Sequence, residues 1–126
     1  MALSKNISPV DWYFGSYLLR FVEVEKPGRN DPDKRFVAWE NTVLVKAKSL
    51  DSAYTKVERI GKAAAKPYRG GREGVRVMWE YVGVTELVPV YEPIADGAEI
   101  AWANHGSRKL KTLKRWVKRK REFHVS

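Results

Sequence analysis

"SLDSAYTKVERIGKAAAK", residues 49–66, is where the chain changes its rhythm. Leu50, Ala53, Tyr54, Val57, Ile60 and Ala64 recur at steps of three and four, which places them on one face of a helix. Ser49 stands where an N-cap belongs, and Asp51 falls in the first turn, where negative charge complements the helix dipole. Gly61 comes late in this helix and Pro67 closes it.

On either side the period is two. Upstream, WYFGSYLLRFVEVE (12–25) is rich in aromatic and β-branched residues and alternates Phe21, Glu23 and Glu25 against Val22 and Val24. RFVAWENTVLVKA (35–47) repeats that character, so the two stretches read as antiparallel partners. Between them KPGRNDPDK (26–34) reads as an exposed connection, longer than a tight hairpin turn. Downstream, VRVMWEYVGVTELVPVYEPI (75–94) reads as two short strands or one bent strand, with Gly83 suited to a bulge and Pro89 to an edge. DGAEIAWANHG (96–106) opens on a turn and reads as a short final strand through Trp102. The expected fold class is α+β: an antiparallel sheet of four to five strands with one helix packed on a face, plus a basic C-terminal helix. Residues 1–106 are read as a single domain, and 107–126 as the basic amphipathic helix or tail.

The chain has 126 residues, 44% of them apolar, with five Trp, six Tyr and four Phe. That is enough to close one core and too apolar for a disordered chain. With no Cys there is no disulfide and no thiolate site, which fits a reducing, cytoplasmic compartment. The leader up to Pro9 lacks a signal-peptide apolar run, and no stretch approaches the length of a membrane span.

The net charge of +9 is concentrated at one end. Residues 106–126 hold nine basic side chains against the single acid Glu122, whereas residues 1–105 hold fifteen basic and fourteen acidic. The basic residues are Arg108, Lys109, Lys111, Lys114, Arg115, Lys118, Arg119, Lys120 and Arg121, with Leu110, Leu113, Trp116 and Val117 on one side and Ser107 as a candidate cap. A helix over 108–121 extends roughly 20 Å. Like charges and short length make it marginal alone, so its apolar stripe needs a surface, either the body or a partner. Three readings compete: a solvated helix docked on its own sheet, a phosphate-contacting element for nucleic acid, and a contact for an anionic membrane or an acidic protein.

Other chemistry is thinner. Glu23, Glu25, Glu40, Glu80, Glu86 and Glu92 lie on expected strands, where pairs of carboxylates can share a proton, but the alternation also suits a solvated face. His105 and His124 lack metal-site spacing. Gly70, Gly71 and Gly74, with Arg69, Arg72 and Arg76, form a secondary basic loop that lacks the P-loop ending. Trp12, Trp39 and Trp79, each in a strand, can serve the core or line one surface.

The segments DWYFGSYLLRF, FVAWENTVLVKAKSLDSAYTKV and WEYVGVTELVPVYEPIADGAEI resemble the bacterial family named domain of unknown function 4288, over about residues 11–102. The resemblance implies a small bacterial α+β domain, no transferable catalytic residue, and a basic tail beyond the matching part. The resulting expectation is a non-enzymatic cytoplasmic binding module without a cofactor. It meets nucleic acid through the C-terminal helix and a protein partner or a second copy through the sheet. The alternatives are a partner-inhibiting or immunity-type protein of a toxin or phage-conflict system, and an enzyme that gathers two or more of Glu23, Glu40, Glu80 and Arg76 in a concave pocket.

Overall fold

The structure, a computed structural model, describes residues 5–65, 67–69 and 76–124, the segment 67–69 by its backbone. Three long elements carry an antiparallel sheet: β1 (Trp12–Glu23), β2 (Ala38–Lys46) and β4 (Arg76–Pro89), with the three-residue β3 (Pro67–Arg69) beside β4. The order across the sheet is β2-β1-β4-β3, so β1 is flanked on both sides and β2 is an edge. The helix α1 (Leu50–Ala64) packs on one face against β1, β4 and β2.

The period-two stretch 12–25 forms β1 because its alternate residues meet opposite environments. Tyr13, Tyr17 and Leu19 are buried with Val45, Ala47, Ala53 and Val57 in the core under α1. Ser49 caps α1, its side chain accepting from the Ser52 N–H at 3.1 Å, and Asp51 lies in the first turn. Ahead of β1, the buried Ser8 donates its hydroxyl to the Val90 carbonyl, and its N–H donates to the Tyr13 hydroxyl at 3.1 Å. These bonds fasten the leader to the far end of β4.

Residues 76–89 form one strand, bent by register shifts opposite Ser16/Tyr17 and Leu18/Leu19 that leave Thr85 and Val82 without partners on β1. They bracket Gly83, where the sequence suited a bulge. β3 falls inside the stretch expected to be loop. The expected strand through Trp102 does not form; residues 96–106 contain no strand. Ile100 and Trp102 imitate strand alternation, but Ala101, Trp102 and Ala103 line a cleft with Phe14, Ser16, Thr42 and Glu86, on the face opposite α1. This segment therefore covers the sheet instead of lengthening it.

The C-terminal helix is also shorter than expected. α2 spans Leu110–Trp116, and a 3-10 turn follows at Lys120–Phe123. Lys109, not Ser107, is the N-cap; no side chain caps the helix and no acid lies in its first turn. Val117 then turns extended, at φ −74° and ψ 131°. Without a cap, and with like charges adjacent, the helix has little to propagate it. Among the described residues no helix is long and apolar enough to cross a membrane.

Candidate functional site

The tail side chains point outward. Arg108, Lys109, Lys111, Lys114, Arg115, Lys118, Arg119, Lys120 and Arg121 are all exposed, and among the described residues none of them forms an ion pair. Glu122, the one acid of the tail, accepts from the Arg119 backbone N–H at 2.7 Å. Leu110, Leu113, Trp116 and Val117 are exposed as well, with Val117 at 77%, so the stripe that needs a surface from the body or a partner is not buried on the body. Among the described residues its one ring contact is Trp116 edge-on to His105, at 4.9 Å between centroids. The segment is thus an amphipathic surface whose basic half is open and whose apolar half is only partly covered.

The secondary basic loop is divided by the fold. Arg69 lies in β3 and pairs in register with Arg76 at the start of β4, while Gly70, Gly71, Arg72 and Gly74 lie outside the described residues.

The candidate tryptophans divide between the two faces. Trp39 and Trp79 stand on the α1 side with Phe21. Trp79 meets Phe21 edge-on at 5.4 Å and Trp39 at 6.3 Å, and with Leu19, Asn41 and Ala64 the two Trp line a cleft of about 360 Å³ beyond the end of α1. Trp12 lies at the other end of the sheet, opposite Lys46, whose ammonium sits 5.8 Å from its ring centroid.

The carboxylates are also dispersed. Glu23 lines a cleft of about 180 Å³ with Lys26, Arg29, Lys34 and Arg35. Glu40 shares a different cleft, of about 390 Å³, with Glu86, and accepts from the Thr85 hydroxyl at 2.7 Å. Glu80 is held between two arginines. Arg20 donates to Oε1 through Nε at 2.9 Å and Nη2 at 2.6 Å, and Arg29 donates to Oε2 through Nε at 3.1 Å and also through Nη2. Burial raises the Glu80 pKa, but the hydrogen bonds and charges of Arg29 and Arg20 outweigh it and hold the carboxyl below its ordinary value.

This cluster was missed in the sequence because Arg29 comes from the connection expected to be merely exposed. Arg20 also donates to the Arg29 carbonyl at 2.8 Å and lies over the Phe36 ring at 4.5 Å, so the connection folds back on the sheet. One signal was available: Arg20 interrupts an otherwise apolar strand face between Leu18 and Val22, and an arginine there needs a carboxylate.

An antiparallel sheet with one covering helix and a charged C-terminal extension defines a small α+β protein whose outward chemistry is basic and aromatic. The chain belongs to the family described as domain of unknown function (DUF4288), which it matches over residues 12–102. No curated protein and no solved structure matches it.

Proposed function

We propose that this chain is a non-enzymatic binding module of the bacterial cytoplasm whose C-terminal segment contacts nucleic acid through its phosphates. The observation that carries the reading is the state of the tail: nine basic side chains between Arg108 and Arg121 are exposed, and among the described residues none is ion-paired. Unpaired cations pay no cost of breaking internal bridges when phosphates replace their counterions. The spread of Glu23, Glu40 and Glu80 over separate surroundings, with Glu80 engaged by two arginines, supports the non-enzymatic part.

The test is anisotropy of labelled mixed-sequence DNA and RNA with the full chain over a range of salt. Contact with about five phosphates gives a slope of log affinity on log salt near −4 to −5 on duplex DNA, at about 0.9 per contact. Replacing Lys118, Arg119, Lys120 and Arg121 together by Gln flattens the slope by up to about 4. Binding that ignores salt overturns the proposal.

A further inference from the structure

The sheet has two long edges, and they differ. The outer side of β4 is paired with β3 only from Arg76 to Met78, and beyond that it is interrupted at Val82 and Thr85 and ends on Pro89. Bulges and proline are the devices that keep an edge from pairing with another chain. β2 has neither. Its register with β1 runs from Trp12↔Lys46 to Arg20↔Ala38 without a shift, and its sequence, AWENTVLVK, holds one lysine, at the last position.

The hydrogen bonds at the two ends of β2 show which of its backbone groups are free. Phe21 N–H donates to the Val37 carbonyl at 2.9 Å, and Ala47 N–H donates to the Asp11 carbonyl at 2.9 Å. Bonded pairs alternate in an antiparallel ladder, so the odd-numbered residues from 37 to 47 turn their backbone groups to β1. Ala38, Glu40, Thr42, Leu44 and Lys46 turn theirs away from the sheet. The Lys46 carbonyl already accepts from the Lys56 ammonium, which leaves it a second lone pair.

We propose that β2 is a homodimer interface, pairing antiparallel with β2 of a second copy about a two-fold axis at Val43. This register joins outward-facing residues: Thr42 opposite Leu44 of the second copy, and Glu40 opposite Lys46. Charge complementarity selects it, because Glu40 and Lys46 stand on the same face and two-fold symmetry forms the Glu40–Lys46 pair twice. Moving the axis to Glu40 would set that carboxylate against its own copy. In the selected register the exposed Trp39 lies opposite Ala47 of the second copy, and both α1 helices lie on the same side of a continuous sheet. The interface rests on the edge of β2 and is independent of the nucleic-acid reading.

The test is sedimentation velocity of the nuclease-treated full chain, free of nucleic acid, across a concentration series. The wild type sediments as a dimer. Glu40→Lys and Lys46→Glu, each placing like charges opposite one another twice, weaken the dimer by about tenfold, and the double variant Glu40→Lys/Lys46→Glu restores it. Leu44→Pro removes an outward N–H without touching the β1 ladder, and yields a monomer with an unchanged far-ultraviolet circular dichroism spectrum. A wild type that stays monomeric throughout, or a dimer that neither single charge change weakens, overturns the proposal.

Discussion

Gly15 and Gly61 set how closely α1 lies on the sheet. A Cβ on Gly15 would overlap Val57 Cγ2 and come within 3.2 Å of Cγ1, and one on Gly61 would lie 2.7 Å from Tyr81 Cε2 and 3.1 Å from Tyr17 Cγ. Val57 is fully buried and branched at Cβ, so it has no room to rotate away. Gly15→Ala therefore lowers stability by about 1–3 kcal/mol, read from the urea midpoint. Gly61→Ala gains about 1 kcal/mol of helix propensity but forces the Tyr81 ring outward, and the net change is a loss. A raised midpoint for Gly61→Ala would show that the ring yields easily. Glu80 acts through charge. Its folded pKa is depressed, so its contribution is present above the unfolded value and is lost as pH falls through the folded one. Glu80→Gln is less stable than wild type at neutral pH by about 1–2 kcal/mol, and the difference shrinks on acidification. Equal losses at pH 7 and pH 3 would contradict this account.

At the scale of elements, the sequence was legible wherever burial enforces a period. The α1 pattern is realised with its cap at Ser49, and the strand stretches 12–25, 35–47 and 75–94 hold β1, β2 and β4. Where burial does not act, the pattern misled. Ile100 and Trp102 alternate as a strand does, but their segment lies over the sheet; Leu110, Leu113, Trp116 and Val117 have helical spacing but none of them is buried. Amphipathic spacing records the shape of a surface and does not say what covers it. The tail's basic residues could be read directly, whereas the Arg20–Glu80–Arg29 cluster depended on a register that composition does not contain. Because Val117 is 77% exposed, Val117→Ser changes the unfolding free energy, read from the urea midpoint, by less than about 0.5 kcal/mol. A larger loss would mean that the helix stabilises the body in solution.

For the molecule as a whole, charge is segregated: residues 1–105 are nearly balanced and the excess sits in the last twenty-one. Stability and polyanion binding should therefore answer differently to salt. Between about 50 and 200 mM salt, several phosphate contacts cost orders of magnitude in affinity, while a nearly neutral body has little self-repulsion for ions to screen. Parallel melting and binding titrations across that range check the separation, and a melting midpoint that moves as steeply as binding would refute it.

The unpaired Thr85 and Val82 of β4 also dictate which length changes the gene tolerates. Each shifts the alternation of β4 by one residue, and together they cancel, so that Glu80 opposes Arg20 in the same sense that Val88 opposes Phe14. Losing either codon alone would remove an extra residue and keep every pair with β1, Glu80 still opposite Arg20 and Trp79 still opposite Phe21. Losing both would do the same, so length variation in this strand should fall at Thr85 and Val82, where a residue can go without displacing a partner.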